Sequence, residues 1–400
     1  MRILITTPSF ERKGGVANYL SILKRYFTSD VEYFTVGSRA PGEGKWESLR
    51  RFIEDGWNFY RKLKENSYDI IHLNPSLMHK AVLRDGILLF IAKKLGYKVV
   101  VFFHGWDKTF QDRFTGWMLK LFRYFIFEAD AFVVLASEFK DKLSGMGCSK
   151  PIFLETTVVD DSAFSVFDAE HGYRSLNNID SKLNILFLSR IERTKGVYEA
   201  IGTYRKLKAV HPSVTLTIAG DGSELGHVKR YVNDKDIDDI EFLGYVSGRL
   251  KYDAFTSANV YLFPSYSEGM PISVLEAMTY GLPIVTRPVG GIRDFFENGK
   301  MGYLTESKDP KVFAELIEKL MMLGPMGRRE IGQFNRCYAK EHFLASKAAG
   351  RIEDIYRGIL SSRVPKWDSR KYERAASEDV DYSKCAECKC EVETIAQKIS

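Results

Sequence analysis

The chain has 400 residues, 45% of them hydrophobic, with 58 basic and 52 acidic side chains and a net charge of +6. That length favours two domains, and the composition is ordinary for a soluble globular chain. The mild positive balance suits an anionic ligand, an anionic membrane surface or nucleic acid equally and singles out none of them.

The chain opens on a strand, Arg2–Thr7, whose apolar run is too short for the core of a signal peptide. A membrane span needs about 18 apolar residues in a row. The best stretch here, Gly86–Ala92, is bracketed by Arg84, Asp85, Lys93 and Lys94. The five cysteines, odd in number and mostly far apart, do not form a secreted disulfide framework. A cytoplasmic protein is expected.

Short apolar strands then alternate with helical patterns: Ile3–Thr6, Val31–Val36, Ile70–Leu73, Val99–Phe103, Ala131–Leu135 and Ile152–Leu154. The first intervening helix reads from Val16, Tyr19, Leu20, Leu23 and Phe27 at i, i+3, i+4 spacing. The polar stretch 167–181 reads as a connection between domains. The alternation restarts at Ile185–Leu188, Thr215–Ala219, Glu241–Leu243, Val260–Phe263 and Ile284–Thr286, and long helical patterns follow at Lys311–Leu323 and Arg328–Leu360. Two such series predict an α/β chain with two Rossmann-like domains. Their expected bounds are 1–166 and 182–344, with a last helical segment at 345–360 and a polar tail at 361–400.

The most informative segment runs from Phe263 to Met278. A parallel strand ends there in a Gly/Pro turn that opens an apolar helix near Ile272. Such a turn builds a ligand crevice at the carboxyl edge of a parallel sheet. Amide N–H groups at the helix start attract an anion, and Glu268 and Glu276, eight positions apart, can grip hydroxyl groups. A phosphate joined to polyols, as in a nucleotide sugar, fits both features. The plainer alternative is a capped helix with two acids on a solvated face. After the first strand of the second series, Ser189-Arg-Ile-Glu-Arg-Thr-Lys195-Gly196 places Arg190 and Lys195 where they can meet a diphosphate, one as a planar fork and the other as a point charge. Helix starts normally favour acids, so this basic cluster is unusual for a purely structural role.

These residues resemble the Glu-x7-Glu and Arg-x4-Lys motifs of the family 4 retaining glycosyltransferases, and the resemblance runs from Met1 to about Leu360. It implies a GT-B fold, two Rossmann-like domains facing a central cleft, with the last helix, 345–360, crossing back to the first domain. It also implies transfer of a sugar from a nucleoside diphosphate sugar (UDP- or GDP-linked) to a hydroxyl acceptor. By the resemblance, Arg190 and Lys195 neutralise the leaving diphosphate, Glu276 holds the ribose, and Glu268 with the amides of Gly269 and Met270 holds the sugar. The glycine-rich loop matches Gly14 and Gly15 after Arg12-Lys13. The donor-contacting histidine matches His104, and the glycine turn beside the nucleotide matches Gly220 and Gly222, with Gly290-Gly291 a weaker instance. For each glycine pair an ordinary turn is the alternative. The acceptor is expected to be a saccharide or lipid-linked saccharide in cell-surface polysaccharide or glycolipid biosynthesis, with no nucleic acid as partner. The rival readings are a GT-B nucleotide-sugar epimerase and a non-catalytic subunit that binds sugar nucleotides.

No metal is expected. Asp234/Asp236, Asp236/Asp238 and Asp379/Asp381 are Asp-x-Asp pairs, yet none ends an apolar strand. Cys385, Cys388 and Cys390 supply three thiols without a nearby fourth zinc ligand. Arg113–Phe127 mixes basic and aromatic residues. It reads either as a core helix with a charged outer stripe or as a peripheral contact with the inner face of the plasma membrane.

Overall fold

The computed structural model describes residues 1–11, 14–37, 44–75, 79–106, 116–165 and 182–361. The polar segments 167–181 and 362–400 lie outside the described residues, and so do the cysteine trio, Asp379/Asp381, Arg12, Lys13 and residues 113–115. The chain divides into two compact units. The first comprises Met1–Asp161, Glu268–Ile272 and the described chain from Phe343 onward; the second takes up Ser162–Ser267 and Ser273–His342.

In the first unit, strands β1 (Arg2–Thr7), β2 (Asp30–Thr35), β3 (Ile70–Leu73), β4 (Lys98–Phe103), β5 (Ala131–Val134) and β6 (Ile152–Leu154) form one sheet in the order β2-β1-β3-β4-β5-β6. Every pairing is parallel, for instance Ile3 beside Val31 on one side and beside Ile70 on the other. Val99–Phe103 is an unbroken buried run, as expected of a strand covered on both faces. Helices α2 (Lys45–Glu65), α3 (His79–Lys94), α4 (Trp117–Ile126) and α5 (Ser137–Gly145) supply Phe59, Leu88, Phe122 and Phe139 to one core layer. Helices α1 (Gly15–Leu23) and α13 (Ala345–Leu360) contact each other, and α13 also contacts β4.

In the second unit, strands β7 (Asn184–Leu188), β8 (Thr215–Ala219), β9 (Ile240–Gly244), β10 (Val260–Phe263), β11 (Ile284–Thr286) and β12 (Gly302–Leu304) make a second parallel sheet in the order β12-β11-β10-β7-β8-β9. This is the Rossmann strand order, with the direction of winding reversing between β7 and β10. Its helices are α6 (Val197–Val210), α7 (Leu225–Asp234), α8 (Gly248–Thr256), α9 (Ile272–Thr279), α10 (Ile292–Phe295), α11 (Pro310–Met322) and α12 (Gly324–His342). Strand β12 escapes the sequence pattern because Gly302-Tyr-Leu304 opens on a glycine and offers no run of aliphatic residues.

The single helical pattern expected over Arg328–Leu360 is in fact two helices, α12 and α13. Between them Phe343 is fully buried, and the main chain is diverted into a parallel bridge of Val159 with Leu344. The amide of Val159 donates to the Phe343 carbonyl and that of Ala345 to the Val159 carbonyl, each at 3.0 Å. A tertiary pairing overrides a sequence that would support continuous helix.

Helix α13 is tied to the first unit by two buried carboxylates. Glu353 accepts the amides of Thr28 and Ser29 at 3.0 and 2.7 Å and the Thr28 hydroxyl at 2.7 Å. Burial alone would raise its pKa, but these donors hold it below the ordinary carboxylate value. Arg351 forks onto Glu155, which follows β6, at 2.6 and 2.9 Å. Glu353→Ala leaves two amides without their acceptor, which should destabilise the chain by about 2–3 kcal/mol. A lower midpoint in urea unfolding, with partial recovery in Glu353→Gln, is the expected outcome.

Candidate active site

The winding reversal between β7 and β10 leaves the loops at their carboxyl ends side by side, which is where doubly wound sheets bind ligands. Here the two loops are joined. Beyond β7, Arg193–Lys195 forms a single 3-10 turn, and Gly196 then starts α6 from the left-handed region at φ +81°. A methyl group on Gly196 would fall 2.4 Å from the Pro264 carbonyl oxygen, so only glycine lets the two backbones approach this closely. The Tyr266 amide donates to the Thr194 carbonyl at 2.9 Å, and the Ser265 hydroxyl reaches the same oxygen at 3.4 Å. Lys195 is therefore held, half-buried, against the exit of β10. Arg190 is largely exposed and donates to Glu192 at 2.7 Å.

The Gly220-Asp221-Gly222 turn after β8 buttresses this arrangement. Gly220 has φ +135°, and a methyl group there would lie 1.7 Å from the Ser189 carbonyl oxygen. Gly222 meets the Ile191 carbonyl in the same way, at 2.4 Å. The Ile191 amide donates to the Asp221 carbonyl at 2.9 Å. In this unit, then, both glycines face the backbone that carries Arg190, and that packing explains them without a ligand.

Behind the β10 loop sits a buried cation that the sequence patterns missed. Arg287, just beyond β11, donates to the carbonyls of Ser265 at 3.3 Å and Glu306 at 3.0 Å, and its guanidinium lies 5.5 Å from the Tyr266 ring centre. The Tyr266 hydroxyl donates to Glu199 at 2.5 Å. Burial and this carboxylate push the Tyr266 pKa up to about 12. On α9, Glu276 accepts from Lys251 of α8 at 2.6 Å, a second partner that spacing did not reveal.

The first unit carries the other expected residues. Its strand order also reverses direction, between β1 and β3. Gly14 precedes α1 with an extended φ of −178°, and a methyl on Gly14 or Gly15 would meet nothing within 4 Å. Neither residue lies in the left-handed region, and both are exposed. His104 ends β4, half-buried, its ring stacked on Phe102 at 4.1 Å. Gly269 packs against the His104 carbonyl, 2.1 Å from where a methyl would sit, and the Met270 carbonyl accepts from the Thr157 hydroxyl at 3.1 Å. The turn holding Glu268, Gly269 and Met270 is thereby anchored on the end of β4.

His104 belongs to a buried polar chain. The Asn74 carboxamide donates to the Thr6 carbonyl at 2.8 Å, which leaves its oxygen as the acceptor. That oxygen lies 2.7 Å from His104 Nε2 and 3.2 Å from His72 Nε2, so each ring carries its proton on Nε2. Nδ1 is then the accepting nitrogen of both, and on His72 it accepts a hydrogen bond from the Tyr356 hydroxyl of α13. Burial lowers the pKa of His72 to about 4, and burial with the neighbouring His72 lowers that of His104 to about 3. Both rings are neutral at physiological pH. His104 consequently presents an acceptor, suited to a hydroxyl group, on the edge that Asn74 does not occupy.

Of helix α4, Phe122 and Ile126 are buried, whereas Lys120, Leu121, Arg123 and Tyr124 are exposed. The segment expected as core or membrane contact has both kinds of face. Asp234 closes α7, and Asp236 and Asp238 lie in the turn leading into β9, at the sheet edge opposite the carboxyl ends.

Family models match most of the chain. Residues 14–160 match Glycosyltransferase Family 4, and residues 173–335 match Glycosyl transferases group 1. The chain belongs to the family 4 glycosyltransferases and has the GT-B fold. It is similar to the putative colanic acid biosynthesis glycosyltransferase WcaL of Salmonella typhimurium, 26% identical over 257 residues that make up 61% of this chain and 59% of that protein. It is also 26% identical over 234 residues to the capsular polysaccharide biosynthesis glycosyltransferase CapM of Staphylococcus aureus, 58% of this chain and 59% of that one. The match thus spans about three-fifths of the length of these relatives. Among solved structures, Anabaena HepE in complex with UDP superposes with a TM-score of 0.67 at 18% identity, covering 90% of this chain and all of that one.

The neutral histidines have a consequence for acid stability. Folded His72 titrates near 4, against 6.5 for the unfolded residue. Between those values the unfolded chain binds the extra proton. This contribution is therefore complete above pH 6.5 and fades as the pH falls toward 4. The melting temperature should drop on acidification through this window, and His72→Gln should flatten the slope. Superimposable slopes for parent and variant would contradict the assignment.

Proposed function

We propose that this protein is a retaining glycosyltransferase. It would move a sugar from a UDP- or GDP-sugar to a hydroxyl of a saccharide or lipid-linked saccharide, in cell-surface polysaccharide or glycolipid biosynthesis. The observation that carries the reading is the joined pair of loops in the second unit, which holds Lys195 with Arg190 nearby at the winding reversal of the sheet. The names of the bacterial relatives support the polysaccharide class, and the UDP bound to HepE supports a nucleotide-sugar donor.

In this reading Arg190 and Lys195 meet the diphosphate. Glu192 is a partly exposed partner of Arg190, so a phosphate oxygen can replace it with little loss. Glu276 accepts the ribose hydroxyls beside Lys251, while Glu268, Gly269 and Met270 hold the sugar. His104, neutral and accepting through Nδ1, takes a sugar hydroxyl, and the acceptor lies near Gly15. The leaving phosphate assists removal of the acceptor proton on the same face of the sugar. Rate enhancement rests on fixed positive charge where negative charge develops. Peripheral attachment to the inner membrane face through Lys120, Leu121, Arg123 and Tyr124 would bring a lipid-linked acceptor within reach.

Lys195→Ala should lower kcat/KM by about 100-fold or more, because charge stabilisation at a leaving group contributes a few kcal/mol. A folded variant that transfers sugar at the parent rate refutes the assignment. The remoteness of Asp234, Asp236 and Asp238 from the carboxyl edge supports a reaction without a divalent ion. Transfer is expected to persist in a chelator; activity that returns only on adding Mg²⁺ or Mn²⁺ would refute metal independence.

A further inference from the structure

Helix α2 has two apolar faces, and the fold uses one of them. Its inner side gives Phe59 and Leu63, 0% and 3% exposed, to the core of the first unit. On its outer side Trp46, Leu49, Ile53 and Trp57 recur at i, i+3, i+7 and i+11 and are 82%, 51%, 63% and 60% exposed. That spacing puts all four on one stripe of the helix. Trp57 stacks on Tyr60 with ring centres 5.8 Å apart. A solvated helix face has no use for two tryptophans and an isoleucine in a row.

The surroundings of the stripe indicate what covers it. On the helical wheel Lys64 falls on the stripe, and Arg50 and Arg61 fall along one border. Among the described residues both arginines pair with exposed glutamates of the same helix, Glu54 and Glu65, and such pairs exchange readily for other anions. Helices α3 and α4 follow beside α2 on the same face of the sheet. They extend the surface with exposed Leu83 and Phe90, the latter beneath Lys94 at 5.4 Å, and then with Leu121 and Tyr124 beside Lys120 and Arg123. Apolar and aromatic side chains ringed by lysine and arginine on the outer side of a row of helices match an anionic lipid interface. Rings would enter the headgroup boundary while cationic side chains reach phosphate. No described helix is long and apolar enough to cross a membrane, so the contact is a surface one.

We infer that the outer face of α2, centred on Trp46, Ile53 and Trp57, is the principal membrane-docking surface of this protein and takes a bilayer containing anionic phospholipid. The choice of partner rests on the proposed lipid-linked acceptor; the location on α2 does not. The full chain, without donor or acceptor, is mixed with vesicles of phosphatidylglycerol and phosphatidylcholine or of phosphatidylcholine alone and sedimented at low and high salt. Binding is expected to the anionic vesicles and to weaken with salt. Trp46→Ser with Trp57→Ser should lower partitioning by more than about tenfold, since both rings lose their burial in lipid. Lys120→Glu with Arg123→Glu should weaken it less. The melting temperature and the transfer rate to a water-soluble acceptor should stay at parent values in the tryptophan variant, which separates failed docking from failed transfer. Hydrogen exchange on the parent protein should show residues 45–65 exchanging more slowly when anionic vesicles are added than in their absence. No binding at low salt overturns the inference, as does equal binding by the tryptophan variant. So does a lipid-free protein that sediments as a dimer and becomes monomeric in the tryptophan variant, the result expected if a second copy covers the stripe.

Discussion

The candidate site depends on one steric constraint, the approach of the β7 and β10 loop backbones to a distance that admits no side chain. Gly196 lies against the Pro264 carbonyl, and Gly220 and Gly222 lie against the main chain of Ser189 and Ile191. Each contact joins loops from different strands, so the position of Lys195 is determined by three strand ends rather than by its own helix. In the role proposed for Lys195, a cationic side chain meeting a short-lived charge, such pre-positioning leaves no reorganisation for the reacting state. The same packing places the backing residues. Tyr266, bonded through its amide to Thr194, directs its hydroxyl to Glu199 and lies near the Arg287 guanidinium, so the β10 exit is rigid from behind as well as in front.

The first unit achieves the same end with polar groups. Asn74 has one acceptor oxygen and two histidines on it, a stoichiometry that leaves each imidazole a single tautomer. Since its amide group is committed to Thr6, the oxygen cannot turn away. Tyr356 completes the chain from α13, and the Glu353 and Glu155 contacts hold that helix in place. An element near the end of the described chain therefore contributes to the protonation state of a histidine at the end of β4. Buried networks of this kind are unforgiving, since any missing member leaves a polar atom with neither water nor partner.

Much of this was legible in the sequence. Ile70–Leu73, Thr215–Ala219, Val260–Phe263 and Ile284–Thr286 read directly from largely apolar, uncharged runs between turn signals, as strands covered on both faces do. The motifs marked Arg190, Lys195, Glu268 and Glu276 as candidates, and the structure places the first two in the loop after β7 and Glu276 on α9. What stayed hidden is what spacing cannot encode. Lys251 meets Glu276 across two helices, and Arg287 is a lone arginine after a three-residue strand. Asn74 gains its role only from residues at positions 6, 72 and 104. The glycine pairs differ from one another. Gly14 is extended with open space around it, whereas Gly220 has φ +135° and lies against a neighbouring carbonyl. Only the partner backbone distinguishes these cases.

The two faces of α2 extend the same reasoning to the surface. Periodicity identifies an apolar stripe, and a helix on a sheet needs one such stripe to dock. Phe59 and Leu63 satisfy that need, so Trp46, Ile53 and Trp57 contribute nothing to folding that smaller polar residues would not. Large rings left in water cost solubility and give back no stability. Their presence beside Arg50, Arg61 and Lys64 is economical only if the face spends its working life against something both apolar and anionic. A bilayer surface meets both conditions, and the adjoining helices α2, α3 and α4 carry exposed apolar side chains toward it in the proposed docking.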